Sequence, residues 1–396
     1  MTAQGYRELC DAFVESRMSD IWDLSLYVHE HPELGYEEHE ACRVQCDWLE
    51  KEGFEVARGV GELDTAFVAT WGEGSPVIAV ASEYDALKGL GHACGHNLIC
   101  ATSILTGAAV RAWLEKTGAP GTVKVIGTPA EEGGGGKIRL IEKGVFDGLD
   151  AVFMMHPTSD KTRIAGECMS VASMDVTFKG AEAQAGSHPD KGRNALSAAS
   201  LFLNAVGLWR QHLTYDMRVS MIMTEGGKAA NIIPGEVRLH GDVRALKVSD
   251  LRWLAKTIGS CAEHCAAALG CEASYDFAEG YLGRVPNEVL GEVCRREFGD
   301  LAEPMLPGMP ADFGGEDLGN VSMRVPICNP YMTIFPDYKI SGHTDQFREL
   351  AGGENGRRCI EQASKAMARS IAWLYEHRDA LEQARVELDE RLGNNA

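Results

Sequence analysis

The sequence predicts an α/β fold that is interrupted by a smaller α+β insertion. Up to about residue 155, short apolar runs such as Val77 to Val80 alternate with segments that carry apolar residues at helical spacing. Between residues 172 and 283, apolar and polar residues alternate, as in half-exposed antiparallel strands. The helical pattern returns after Pro286, and 396 residues are enough for two domains. We therefore predict one domain from 1–171 and 284–396, and an inserted domain from 172–283.

Periodicity and breaking residues define the individual elements. Helices are predicted at 6–27, 37–50, 100–116, 195–210, 250–269, 288–298 and 356–378. Strands are predicted at 65–70, 77–81, 123–128, 151–155, 173–179, 218–224 and 237–245. The charged tail beyond Glu382 is expected to fray. Ligands of open α/β sheets bind beyond the carboxyl ends of strands, so the loops after these strands are the segments to search for a site.

Composition restricts the class of protein. The chain has 58 acidic and 38 basic residues, a formal charge of -20, which argues against nucleic acid or an anionic membrane as partner and favours a small-molecule substrate. No disulfide-scaffold spacing relates the 12 cysteines, so most are expected to be reduced. No signal-like start and no apolar run approaching membrane-spanning length is found, so a cytoplasmic protein is expected.

Metal-competent side chains follow the strand predicted at 77–81. Cys94 and His96 lie two residues apart in the glycine-rich segment Ser82 to Asn97. A thiolate and an imidazole at this spacing can bind one metal ion, because Gly95 lets the backbone curl between them. Cys-Gly-His alone is a weak signal, and it gains weight only if other ligands follow.

The next two strands also end in such side chains. Glu131 and Glu132 come after the strand that ends at Thr128, and four glycines follow them. The two carboxylates fit either a solvated helix start or a buried cluster, and we favour the cluster because consecutive glycines allow close backbone approach. His156 ends the strand predicted at 151–155, so three successive strands deliver possible ligands.

Together with His343, these residues make the chain resemble the metallopeptidase family of aminoacylases, glutamate carboxypeptidases and auxin-conjugate amidohydrolases. The resemblance covers almost the whole length. Three segments make it similar to the branch of p-aminobenzoyl-glutamate hydrolases and related dipeptidases: Gly91 to Asn97 (GHACGHN), Thr128 to Lys137 (TPAEEGGGGK) and Gly319 to Ser322 (GNVS).

The resemblance implies a catalytic α/β domain with a two-metal site and a smaller lid domain. It also implies a homodimer whose subunits associate through the lid domain. It also implies that two divalent ions are held by Cys94, His96, Glu132, His156 and His343. Glu131 would be the general base that takes a proton from water and later passes it to the departing nitrogen. The Cys94 thiolate favours zinc and leaves manganese possible.

One position departs from the family pattern. The family generally has Ala-His-Ala where this chain has Gln184 between two alanines, and that lid histidine polarises the scissile carbonyl. Either His188 replaces it through a shifted loop, or the amide of Gln184 is a neutral donor. Asn231 lies in a segment that resembles the family's substrate-contacting lid.

The resemblance leaves several functions open. The leading interpretation is an amidohydrolase or dipeptidase that cleaves an N-acyl or aminobenzoyl amino acid. The alternative is an aminohydrolase that releases ammonia from a nitro-substituted aminobenzoate such as 5-nitroanthranilate, a reaction that needs no carbonyl donor at position 184. A non-catalytic metal-binding protein is less favoured, because every expected ligand and Glu131 are present. A substrate carboxylate could be bound by one of four arginines, which are Arg193, Arg238, Arg244 and Arg324.

Overall fold

The computed structural model describes residues 3–395, and these residues form two compact units. The first unit runs to Glu167 and also contains Arg284–Asp312 and Asn320–Asn394. The second unit contains Cys168–Gly283 and the short segment Phe313–Gly319. The insertion predicted at 172–283 therefore lies inside the second unit, which starts four residues earlier and takes in residues 313–319 as well.

Helices in the described part of the chain occur in both units. They are α1 (Ala3–Glu30), α2 (His39–Lys51), α3 (His96–Thr117), α4 (Gly136–Glu142), α5 (Ala195–Trp209), α6 (Val248–Ala268), α7 (Glu288–Asp300), α8 (Leu318–Ser322), α9 (Asp345–Ala351), α10 (Glu354–Glu376) and α11 (Arg378–Asn395). Short 3-10 helices occur at Val60–Glu62, Pro189–Lys191 and Arg210–His212.

The strands are numbered in chain order. They are β1 (Glu55–Arg58), β2 (Phe67–Glu73), β3 (Val77–Ser82), β4 (Gly121–Gly127), β5 (Ala151–Phe153), β6 (His156–Thr158), β7 (Arg163–Ile164), β8 (Ser170–Lys179), β9 (Ala183–Gln184), β10 (Met217–Glu225), β11 (Ile232–Ile233), β12 (Glu236–Ala245), β13 (Glu272–Glu279), β14 (Ile327–Cys328) and β15 (Pro330–Thr333).

A six-stranded sheet forms the core of the first unit, in the order β1-β2-β4-β3-β5-β14. Strands β4, β3, β5 and β14 are parallel to one another, whereas β2 pairs antiparallel with β4 and β1 pairs antiparallel with β2. The parallel strands are almost entirely buried and rich in valine, isoleucine and alanine. Their carboxyl ends meet at one edge, which places the loops after β3, β4 and β5 side by side.

Helix α3 is the central helix of this unit and packs against α1, α10 and the sheet. In the described part of the chain it is also the one helix long and apolar enough to cross a membrane, although the sequence predicts no run approaching that length. Of its most apolar window, 89% is buried inside the fold. The apolar character of α3 is thus accounted for by packing within the first unit.

The second unit has a four-stranded antiparallel sheet in the order β10-β12-β8-β13. Buried and exposed side chains alternate along β8 and β12, as the alternating sequence pattern predicts. Helices α5 and α6 cover the buried face, and the Asn194 side chain caps α5 by accepting from the Leu196 and Ser197 amides.

Some elements differ from the sequence prediction. Helix α3 begins at His96, four residues before the predicted start, because Gly95 adopts a left-handed conformation that forms its N-terminal boundary. The expectation that the tail frays is wrong, since α11 continues to Asn395 and buries Leu381, Ala384 and Leu388 at helical spacing. Strands β1 and β13 were missed because few of their side chains are buried.

Candidate metal centre

The loop after β3 brings Cys94 and His96 to the carboxyl edge of the sheet. Between them, Gly95 has a φ of +81°, and a Cβ there would lie 2.6 Å from Cγ of Pro157. A side chain at position 95 is therefore excluded both by backbone conformation and by contact. This tight passage puts His96 at the first residue of α3, with its side chain fully buried.

Asp85 orients His96. Its Oδ1 accepts a hydrogen bond from His96 Nδ1 at 2.9 Å, and its Oδ2 accepts from the backbone N–H of Glu132 at 2.8 Å. One buried carboxylate thus connects the loop after β3 with the loop after β4. Because Nδ1 carries the donated proton, the Nε2 lone pair of His96 is directed away from Asp85 and is available to a ligand.

Glu131 and Glu132 follow β4 in a loop that a hydrogen bond to Glu38 holds in place. Ala130 has a φ of +57°, and its N–H donates to the buried Glu38 carboxylate at 2.7 Å. Glu131 is 8% exposed, which fits the buried cluster rather than a solvated helix start. The loop therefore holds two adjacent carboxylates at the sheet edge.

His156 lies at the start of β6, three residues after the end of β5. Its Nδ1 donates to the carbonyl of Pro157 at 2.8 Å, and its ring stacks on Tyr331 with centroids 5.0 Å apart. These contacts fix the ring so that Nε2 lies 3.5 Å from Sγ of Cys94. His156 thus presents the same nitrogen as His96 does.

His343 comes from the loop before α9. Its φ is +60°, and its N–H donates to the carbonyl of Ala93 at 3.0 Å, next to Cys94. Its Nε2 lies 3.2 Å from Oε1 of Glu132. With a side chain that is 54% exposed, His343 is the most accessible residue of the group.

The six predicted residues converge in three overlapping groups within the first unit. In each group the ligand atoms lie within 4.8 Å of one another. The groups are Cys94 with His96 and His156, Cys94 with Glu132 and His343, and His96 with Glu131 and Glu132. A sulfur, imidazole nitrogens and carboxylate oxygens at this separation are donors suited to divalent transition metals.

The electrostatics of the group favour positive charge. Although burial disfavours its charged form, the neighbouring Cys94 and Asp85 raise the pKa of His96 well above its ordinary value, so a bound cation would take the place of a proton on Nε2. Burial likewise opposes ionisation of Glu132, yet the hydrogen bond with His343 and the charge of His96 lower its pKa. Desolvation raises the pKa of the Cys94 thiol, and a cation would reverse that effect.

Unpartnered polar atoms provide a test of whether the residues fit metal ions. Within residues 3–395, His96 Nε2 is fully buried and has no hydrogen-bond partner, although it lies 3.9 Å from carboxylate oxygens of Glu131 and Glu132. Buried polar atoms without partners are costly, and coordination to a cation would satisfy them. The residues therefore fit a metal centre.

Gln184, His188 and Asn231 lie together in the second unit, on and beside the two-stranded sheet of β9 and β11. The Ala185 N–H donates to the Asn231 carbonyl at 2.9 Å, and the His188 N–H donates to the Gln184 carbonyl at 3.0 Å. All three side chains are exposed. The Gln184 Oε1 accepts from the backbone N–H and the hydroxyl of Ser187, which leaves its Nε2 as the outward donor.

The four arginines that could bind a substrate carboxylate are either paired with nearby carboxylates or exposed. Arg238 pairs with Glu236 at 2.8 Å, and Arg244 pairs with Asp242 at 2.7 Å. Arg193 and Arg324 are exposed. None of the four is singled out by its contacts in the described structure.

Supporting residues of the site were missed at the sequence level. Asp85 and Glu83 lie in the segment that carries Cys94. Their position directly after a buried strand is the sequence feature that indicates a place near the site. Lys137 ends the glycine-rich segment after Glu131 and Glu132, and this position close to two carboxylates is the sequence feature that indicates a buried lysine. Glu38 lies in an unrelated helix-entry segment and had no signal in the sequence.

Comparison with known proteins assigns the class. A sequence model of peptidase family M20/M25/M40 matches residues 69–366, which is well over half of the chain. The chain belongs to this family. It is a metal-dependent hydrolase that acts on carbon–nitrogen bonds, and the predicted family resemblance and enzyme class are confirmed.

Individual relatives and structures agree with this class. The chain is 38% identical over 367 residues to the Xaa-Arg dipeptidase of Mus musculus, covering 87% of this chain and 83% of the relative. It is 32% identical over 317 residues to one component of the p-aminobenzoyl-glutamate hydrolase of Escherichia coli (strain K12), covering 76% of this chain and 66% of the relative. A dinuclear metal-binding M20 peptidase from Bacillus subtilis matches the fold with a TM-score of 0.73 at 23% identity, covering 90% of this chain and 99% of that one. The predicted fold class is therefore also confirmed.

Proposed function

We propose that the protein hydrolyses the amide bond of a small carboxylate-bearing substrate with two divalent ions held by Cys94, His96, Glu132, His156 and His343. The observation that supports this most directly is the convergence of these five side chains and Glu131 at one sheet edge. Bound divalent ions supply Lewis acidity, which polarises a carbonyl and makes water more acidic. The thiolate of Cys94 favours zinc, with manganese as the second candidate.

Glu131 is the proposed general base. Its carboxylate lies beside His96 Nε2 and is almost buried, so it borders the ion sites while remaining largely shielded from solvent. In this role Glu131 takes a proton from the attacking water and gives it to the leaving nitrogen, as general acid–base catalysis of amide hydrolysis requires. Asp85 keeps His96 in the orientation that this arrangement needs.

Gln184 is the proposed donor to the carbonyl oxygen, in place of the family's lid histidine. Its orientation supports this choice, because Ser187 occupies the acceptor Oε1 and leaves the NH₂ group to donate. We assign this role to Gln184 rather than to His188, and substrate contact to Asn231.

The proposed substrates are dipeptides and N-acyl or aminobenzoyl amino acids. The names of two relatives describe a dipeptidase for Xaa-Arg and a hydrolase for p-aminobenzoyl-glutamate. The formal charge of -20 favours approach of a cationic substrate over a dianionic one. We therefore place dipeptides with a basic C-terminal residue ahead of aminobenzoyl-glutamate.

A homodimer formed through the second unit is part of the proposal, as is a cytoplasmic location. Strand β10 is an edge of the four-stranded sheet, and it exposes Ile222 with 63% of its surface accessible. Leu208 in the same unit is 71% exposed. Edge strands and exposed apolar side chains are features that a dimer interface covers.

Metal removal and product analysis test the proposed function. Treatment with a chelator should abolish hydrolysis, and added Zn²⁺ or Mn²⁺ should restore it. The substrates to compare are dipeptides ending in arginine or lysine, p-aminobenzoyl-glutamate and N-acetyl amino acids, with 5-nitroanthranilate in parallel. Release of a free amino acid from an amide supports the proposal. Release of ammonia from the nitroaromatic amine alone, or full activity after complete metal removal, would contradict it.

A further inference from the structure

Glu83 and Lys137 form a buried ion pair beside the metal centre that the proposed mechanism does not use. Glu83 is 1% exposed and Lys137 is 0% exposed. The ammonium Nζ lies 2.5 Å from Oε1 of Glu83. Glu83 follows β3 directly and Lys137 lies in α4, so the pair connects the two loops that carry His96 and Glu131.

The second oxygen of Glu83 faces the metal centre. Among the described residues, Oε2 has no hydrogen-bond partner, and it lies 3.6 Å from Nε2 of His96. The same nitrogen lies 3.9 Å from carboxylate oxygens of Glu131 and Glu132. Three carboxylates therefore approach one imidazole nitrogen that itself lacks a hydrogen-bond partner. A buried carboxylate oxygen without a hydrogen-bond partner is costly, and a cation bound between these groups would satisfy it.

The charges of the site support a cation. In the described structure, the acidic groups that surround His96 are the Cys94 thiolate and the carboxylates of Glu83, Asp85, Glu131 and Glu132. With the single ammonium of Lys137, they leave four negative charges, which two divalent ions neutralise. Without Lys137 one buried negative charge would remain uncompensated, and such charges are strongly unfavourable inside a protein.

We propose that Glu83 contributes a carboxylate oxygen to the ion site on the His96 side, and that Lys137 is the positioning residue that holds it there. Lys137 binds Oε1, and this contact turns Oε2 toward His96. The inference rests on the proposed two-ion function and adds an acidic residue to it.

The double variant Glu83→Gln/Lys137→Met tests the proposal without changing the net charge. We expect it to fold and to bind one of the two ions about 10- to 100-fold more weakly, the range seen when groups that support a metal site are lost. The measurement is Zn²⁺ binding to metal-free protein by titration against a competing chelator, with metal content determined after dialysis. The matched control is Glu62→Gln/Lys143→Met, which removes an exposed Glu–Lys pair with a 2.7 Å separation and should bind both ions as the wild type does.

Single variants separate positioning from stability. Glu83→Asp keeps the negative charge beside Lys137 but shortens the side chain, so the affinity for one ion should fall. This variant provides the test if the double variant does not fold. Lys137→Met should lower the affinity for the same ion and lower kcat, while KM stays nearly unchanged. Lys137→Arg keeps a positive charge and a donor to Oε1, so it should retain more of the affinity than Lys137→Met.

The outcomes distinguish this proposal from the proposed function. If the wild type binds two ions and Glu83→Asp and the double variant bind both with unchanged affinity, Glu83 has no part in the ion site and only this inference fails. If the wild type binds no ion, the two-metal function fails as well.

Discussion

The candidate metal centre in the first unit and the Gln184 loop in the second unit are built in opposite ways. At the candidate metal centre, His96, Asp85 and Glu38 are buried. Hydrogen bonds connect Asp85 with Glu132 and Glu38 with Ala130, which are 47 and 92 residues away along the chain. Around Gln184, the side chains are exposed and the order comes from a two-residue strand pair and short-range hydrogen bonds. The fold therefore fixes the side chains of the first region in place, whereas those of the second can vary with little cost in stability.

The difference extends to what each region can tolerate. A change at the metal centre leaves a buried donor, acceptor or charge without its partner, which is among the few mechanisms that cause large losses. At an exposed loop position, water can form hydrogen bonds with the groups that a substitution leaves without a partner. Mutations should thus have large effects in the first region and small, purely functional effects in the second.

The largest effect is expected for Glu131→Gln. Glutamine keeps the shape of the side chain but cannot take a proton, so kcat should fall about 10²- to 10⁴-fold. Because Glu131 is not among the proposed ligands that hold the ions, metal content measured after dialysis should stay at the wild-type level. Turnover within about threefold of the wild type would show that another group is the base.

A pH-dependent effect on stability is expected from Glu38, which supports the loop before Glu131. Desolvation raises the pKa of Glu38 to about 7 from an ordinary 4.5, with a further contribution from the charge of Asp85. Below about pH 4.5 the carboxyl is protonated in the native and the unfolded state. As the pH rises to about 7, the unfolded chain loses this proton first, so the native state loses up to about 3 kcal/mol of relative stability.

Glu38→Gln should remove this dependence. The difference in the free energy of unfolding between variant and wild type should therefore shift in favour of the variant by about 3 kcal/mol between about pH 4.5 and 7.5. The measurement is urea unfolding of metal-free protein at several pH values. Parallel pH profiles for the two proteins would mean that Glu38 titrates normally in the native state.

Asp85→Asn tests the orientation of His96. The amide cannot accept from both His96 Nδ1 and the Glu132 N–H, because only one of its two heavy atoms is an acceptor. Zn²⁺ affinity should fall about 10- to 100-fold, as for other groups that orient metal-binding histidines. Asp64→Asn, at an exposed position, is the matched control and should bind Zn²⁺ normally. Equal affinities in the two variants would show that the Asp85 contact does not support the ions.

The contrast between the regions also explains what could be predicted from the sequence. Cys94, Glu131 and His156 follow buried strands, and parallel strands deliver their ends to one edge, so a pattern along the chain was enough to group them. The support for that group depends on contacts across the fold. Glu38 is 92 residues from Ala130, and Lys137 is 54 residues from Glu83, so their pairing arises only when the first unit folds. The glycine-dependent start of α3 at His96 likewise depends on the Pro157 contact and is not visible as periodicity.

The smallest effect is expected at Gln184, and it separates the two donors that the sequence left open. Gln184→Ala removes the outward NH₂ group, and loss of one such hydrogen bond should lower kcat about tenfold. Because the side chain is exposed, the free energy of unfolding should change by no more than about 0.5 kcal/mol. His188→Ala keeps the backbone N–H that donates to the Gln184 carbonyl, so it should leave kcat and stability unchanged. If kcat instead falls in His188→Ala and stays unchanged in Gln184→Ala, His188 is the donor. In that case a loop with few internal contacts can still position an imidazole for catalysis.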